Sequence, residues 1–150
     1  MSDAVLSAPG FDVDAFLARP LTARLTTNGP TVRPAWYQWE DDAFWVFTGP
    51  WAKWFTRVQT DPSIALIVDT CDLDTGEILQ VIAHGAVEIK DWDVDRGRQM
   101  LARYLGDVNA SWPEEYQAYL SEPPIEGLSW VRLDPEKLIC NDFSFRRPAS

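Results

Sequence analysis

Turn residues cut this chain into short strand-like segments in hairpin order, and that punctuation constrains the fold more than any motif does. Residues 21–27 and 31–39 are joined through Asn28-Gly29-Pro30. Asparagine and glycine there supply the positive φ angles of a tight turn, so a hairpin is expected. After Glu40-Asp41-Asp42 comes 43–48, dense in aromatic and β-branched residues. Such a segment suits a pleated surface and is expected to lie antiparallel to the second strand. Residues 63–69 read as a fully buried strand and 71–77 as a polar loop. Residues 78–89 read as a long strand with Gly85 at a bulge or bend,. Segments 128–133 and 138–143, parted by Asp134-Pro135, close the chain as two further strands.

Helices are fewer. Residues 12–18 carry Val13, Phe16 and Leu17 at helical spacing behind Asp12 as N-cap, with Pro20 just past the end,. Trp51, Trp54, Phe55 and Val58 recur at i, i+3, i+4, i+7, which predicts a helix after Gly49-Pro50 that Asp61-Pro62 stops,. Residues 93–105 form another, with Asp93 as N-cap, Val94, Leu101, Tyr104 and Leu105 on one side, and Gly106 at its end,. A further helix is expected over 111–121. Six or seven strands, mostly in hairpin order, imply a mainly β fold, an antiparallel barrel or sandwich with a few helices.

Composition bounds the function. The 150 residues fit one domain, 1–150, long enough to bury roughly 70% of its unfolded surface. No run approaches the roughly 20 apolar residues of a membrane span, so no membrane partner is expected. Residues 1–9 lack the positive and apolar regions of a targeting peptide, so a cytoplasmic location is expected. Cys71 and Cys140 stand far apart in no C-x-x-C spacing, which reads as two thiols rather than a disulfide or metal site. His84 is the only histidine, which excludes histidine-rich metal sites and weakens a Ser-His-Asp hydrolase reading. Against 13 Lys and Arg stand 23 Asp and Glu, a net charge of −10. Nucleic acid, whose phosphates this charge repels, is not an expected partner.

One segment carries chemistry: Phe47-Thr48-Gly49-Pro50-Trp51-Ala52-Lys53, where a strand ends, the chain turns and a helix begins. A helix N-terminus presents free N–H groups and a dipole that favours negative charge. Thr48 and Lys53 add a hydroxyl and an ammonium, so the segment can cradle a phosphate. The alternative is a helix-capping Thr48 and a solvated Lys53. In Arg33-Pro34-Ala35-Trp36, on the strand expected beside 43–48, a planar guanidinium and free backbone groups can face a flat heteroaromatic ring, or simply edge a barrel,. Gln80 shares a strand face with Ile78, Ile82 and His84 and pairs either with backbone or with a ligand,. Of eight tryptophans, Trp36, Trp39, Trp45, Trp51 and Trp54 fall close together, to stack on a ring or to fill a core and a subunit interface,.

The order of these motifs resembles the pyridoxamine 5′-phosphate oxidase-like split-barrel family, which binds FMN or the deazaflavin F420. The similarity runs over residues 18–143 through TARLTTNGPTVRPAWYQW, FWVFTGPWAKWFTRVQTDPSIALIVD, LQVIAHGAVEI and VRLDPEKL. It implies a split barrel of antiparallel Greek-key type and FMN as cofactor, with F420 as the alternative. It also implies a homodimer with the cofactor in a groove between subunits, acting as an oxidoreductase on a small-molecule substrate. A non-catalytic flavin- or haem-binding protein is the other reading. The resemblance sets Arg33, Pro34, Ala35 and Trp36 against the flavin ring and phosphate, Thr48 and Lys53 on the phosphate with Trp54 beside them, and Gln80 near the cofactor from the long strand. Ala52 stands where the oxidase has arginine, and LICNDFSFRRPAS lacks its C-terminal tryptophan and arginine motif, so pyridoxamine phosphate oxidation is not expected. No catalytic side chain is assigned, since the cofactor ring itself carries the hydride.

Overall fold

The computed structural model describes residues 10–146. Its helices are α1 (Val13–Leu17), α2 (Lys53–Thr60), α3 (Val94–Leu105) and α4 (Glu114–Gln117). The strands are β1 (Ala23–Thr27), β2 (Thr31–Ala35), β3 (Gln38–Glu40), β4 (Ala43–Thr48), β5 (Ser63–Asp72), β6 (Glu77–Asp91), β7 (Ser129–Leu133) and β8 (Lys137–Asp142). Every pairing is antiparallel, in the order β2-β1-β5-β6-β7-β4-β3, with β8 also on β6. The fold is mainly β, a split barrel whose sheet does not close. No described helix is long and apolar enough to cross a membrane.

Eight strands form because the expected second strand is two. The chain bends at Trp36-Tyr37, so that β2 pairs only with β1 while β3 pairs with β4. Side chains of α3 take the place of ladder partners at the bend. The Tyr104 hydroxyl accepts from the Tyr37 N–H at 3.1 Å and donates to the Leu21 carbonyl at 2.7 Å, and the Arg103 guanidinium donates to the Tyr37 carbonyl. Arg33 therefore does not lie on a strand paired with β4. The β3–β4 hairpin turns through Asp41 and Asp42, both at φ 55, the left-handed geometry a two-residue hairpin loop requires.

Other boundaries shift too. β5 runs on to Asp72 and alternates between buried and half-buried positions, rather than being buried throughout. The strand buried on both faces is β4: Phe44 and Val46 enter the main core, while Ala43 and Trp45 join Met100 and Trp130 beneath α3. Trp51 lies outside α2, whose buried stripe is Trp54, Phe55 and Val58. The expected helix over 111–121 breaks into a 3-10 turn at Asn109–Ser111, α4, and a second 3-10 turn at Ala118–Leu120. Asp12 and Asp93 cap α1 and α3 as expected.

β6 joins the two halves of the sheet. Along one edge it pairs with β5 over 77–86, and along the other it changes partner, from β8 over 79–84 to β7 over 87–91. Gly85 sits at the change. A Cβ there would lie 3.0 Å from Leu133 Cδ1, 3.1 Å from the Asp134 carbonyl oxygen and 3.2 Å from the Glu136 nitrogen. Gly85→Ala is expected to cost about 1–3 kcal/mol as overpacking against backbone; an unchanged urea midpoint would refute that close approach.

Candidate functional site

Because β2 ends the sheet on one side, its inward-facing residues meet open space. Arg33 stands across from Leu25, a core residue of β1, so alternation turns the arginine to the interior side, where no further strand follows. The result is a cleft of about 420 Å³ between the β2 edge and the junction of β4 with α2. Arg33, Pro34 and Ala35 form one wall; Thr48, Trp51 and Trp54 form the other, and Tyr119 from the second 3-10 turn completes it. Its size is within the usual range for small-molecule sites, roughly 300–1,000 Å³. No acidic side chain lines it.

The electrostatics at its α2 end are unlike those of the other helix starts. Asp93 accepts from the Asp95 and Arg96 N–H groups of α3, and Asp95 occupies the first turn. α1 has Asp12 and Asp14 in the same roles. α2 has Ala52 as N-cap, no side-chain cap bond and no acidic residue in its first turn, where Lys53 stands instead. Its first N–H groups lack side-chain partners, and its dipole is uncompensated. Thr48 is 3% exposed, and its hydroxyl makes no hydrogen bond among the described residues.

Most other cations are occupied. Arg19 pairs with Glu77, Arg24 with Asp69, Lys90 with Glu88, Arg96 with Glu40 and Arg98 with Asp95, and Arg103 binds the carbonyls of Ala18 and Arg19. Among the described residues Arg33, Lys53 and, one helical turn further, Arg57 have no acidic partner; Lys137 and Arg146 elsewhere share that condition. A chain with 23 acidic residues thus leaves two cations unpaired around a cleft without carboxylates. The donor set of Arg33, Thr48, Lys53 and the α2 N–H groups fits a phosphate, and the aromatic walls fit a planar ring.

The structure brings Arg33, Pro34, Ala35, Thr48 and Trp54 to one cleft, with Lys53 beside Ala52 at its edge. Trp36 is elsewhere, stacked on Tyr104 at 4.5 Å and 2° and on Tyr116 at 5.5 Å. Gln80 lies on the opposite face of the sheet, between Asp69 and Asn141. One lining residue, Tyr119, escaped the sequence reading: it carries no signal because its segment reaches the cleft only through tertiary packing. Trp51, read both as a helix-stripe residue and as one of the tryptophans able to stack on a ring, stands in the wall rather than in the helix. Burial pushes the Tyr119 phenol above its ordinary range, with Tyr116 adding to the effect.

The chain is thus an antiparallel split barrel with a cationic, aromatic cleft at the edge of its open sheet. Residues 12–139 match the family model for pyridoxamine 5′-phosphate oxidase, and the chain belongs to that family. No curated protein sequence matches it. Among solved structures, it is similar to a conserved hypothetical protein from Mycobacterium tuberculosis (TM-score 0.69, 20% identity, 95% of this chain and 88% of that one). It also resembles an F420 reductase (TM-score 0.62, 22% identity, 88% and 98%) and a flavocytochrome from Azotobacter vinelandii (TM-score 0.59, 16% identity, 92% and 69%). These likenesses establish the fold.

Proposed function

We propose that this chain is an FMN-binding oxidoreductase that holds the cofactor phosphate between Arg33, Thr48, Lys53 and the start of α2, and acts on a small molecule. The observation that carries the reading is the uncapped, lysine-bearing N-terminus of α2 facing a carboxylate-free cleft in a strongly acidic chain. Bound there, the cofactor supplies hydride transfer at its ring. The protein's own part is to fix the phosphate, to lay the ring along the 33–35 edge and to keep water from it with Trp51, Trp54 and Tyr119. The deazaflavin F420 is the second reading, supported by the similarity to an F420 reductase and by Ala52, which leaves the cradle one cation short of the oxidase.

The same reading takes the working form to be a homodimer. The sheet face away from the core carries Ile67, Ile78, Ile82 and Ile139, all half-buried, around Gln80. Such an apolar face suits a second copy. Since Gln80 lies outside its own chain's cleft, a role for it at the cofactor requires that second copy.

The test is an absorption spectrum of the purified protein before and after incubation with FMN and with F420, alongside its sedimentation mass. A shifted flavin band on a two-chain particle is the expected result. Uptake of F420 alone would favour the second reading, and uptake of neither at micromolar concentration would overturn both.

A further inference from the structure

The cleft carries an indole that the fold fixes in place without burying it. Trp51, in the turn between β4 and α2, is 56% exposed. Its ring lies back over Gly49 so closely that a Cβ on that glycine would be 2.0, 2.3 and 2.6 Å from three ring carbons. The preceding Pro50 is braced in the same manner: a Cβ on Gly127, at φ 86, would meet Pro50 Cδ at 2.7 Å. Tyr119 stands 6.4 Å from Trp51 at 39°, and is itself seated edge-on against Phe47 at 4.9 Å. Leaving so large an apolar face in water forgoes the free energy its burial would have contributed. Two close-packed glycines nevertheless hold the turn in that pose, against a cleft whose other wall is a strand edge.

Building on the cofactor reading above, we propose that Trp51 is a stacking platform for a planar conjugated ring bound in the cleft, and that Gly49 sets the platform's position. The exposed indole face offers dispersion and π contact to any flat conjugated ring, and little to an aliphatic chain. Tyr119 supplies a second aromatic wall and a phenol that keeps its proton at neutral pH, because burial pushes its titration up. The ring has two chemical sources, the cofactor itself or a planar conjugated reactant beside it.

Four variants and two probes test the platform. FMN binding is read by absorbance and by the emission of the bound flavin; binding of the quinone menadione to the FMN-loaded protein is read by perturbation of the flavin band. Trp51→Ala is expected to weaken one of the two ligands about ten- to a hundredfold, the scale on which aromatic stacking acts, while Trp51→Phe keeps most of the affinity. If FMN is the weakened ligand and its bound emission rises, the cofactor ring is the one stacked; if only menadione weakens, it is the reactant. Gly49 has no positive φ, and the three atoms nearest to the methyl added in Gly49→Ala all belong to the Trp51 ring. That variant should weaken the same ligand, and in the Trp51→Ala background it should cost nothing further, since contacting residues are non-additive. Unchanged affinity for both probes in Trp51→Ala overturns the platform while leaving the cofactor reading intact. A Gly49→Ala loss that persists without Trp51 overturns the role of Gly49. A wild-type protein that takes up neither FMN nor F420 overturns the cofactor reading and the platform with it.

Discussion

Trp130→Ala is expected to destabilise the protein by about 3–5 kcal/mol, the cost of emptying a large aromatic site in a packed core. Trp130 is fully buried and stacks on Trp92 at 5.4 Å and 7°. It also meets Phe47 and Trp45 edge-on at 5.6 and 6.4 Å. Its indole N–H donates to the carbonyl of Asp93 at 3.1 Å, and Asp93 is the residue that caps α3. One truncation therefore opens a cavity and frees the start of a helix. Since the whole stability of such a domain is about 5–15 kcal/mol, urea unfolding should show a large fall in midpoint. A loss below about 1 kcal/mol would mean that the cluster beneath α3 is not a working part of the core.

Lys53→Ala should move binding and stability in opposite directions. Removing the ammonium from the anion cradle is expected to weaken FMN by about 1.5–3 kcal/mol, the usual scale of a hydrogen bond to a charged group; this is roughly a ten- to 150-fold rise in Kd. Without ligand the same change removes a cation from the positive end of a helix dipole, worth about 0.3–1 kcal/mol at an exposed site. It also installs a better helix former. The ligand-free variant should therefore melt slightly above the wild type. Flavin titration and thermal unfolding on the same samples read both signs, and unchanged FMN affinity would remove Lys53 from the site. A residue kept at a cost to the unliganded fold is the pattern of a functional site.

The strands were legible wherever turn chemistry was local. Asn28-Gly29 and the aspartates after Glu40 each announced a reversal that the structure contains, while Asp134-Pro135 marked a break between β7 and β8, which run on in the same direction along β6. The division of 31–39 into β2 and β3 was not legible, because what ends β2 is a pair of side chains from α3, Arg103 and Tyr104, more than sixty residues away. The cleft follows the same division. Thr48, Lys53 and Arg33 stood out by residue type and position, but Tyr119 joins them through a helical segment whose path no local pattern encodes. Trp51 shows a subtler limit. Its spacing from Trp54, Phe55 and Val58 fits a helix stripe, yet Pro50 and the extended Ala52 at ψ 122 start the helix two residues later.

At the seam between β2 and β4 no backbone ladder among the described residues joins the two walls of the cleft. Whatever fills the cleft would touch β2 on one side and the β4–α2 junction on the other, and so stand in for the missing rungs. Occupancy would then act as a removable staple: at a hundred times its dissociation constant a ligand adds about 2.7 kcal/mol to the resistance against unfolding. The protein's ruggedness would accordingly track the supply of its ligand, with the empty form the one most exposed to opening along that edge.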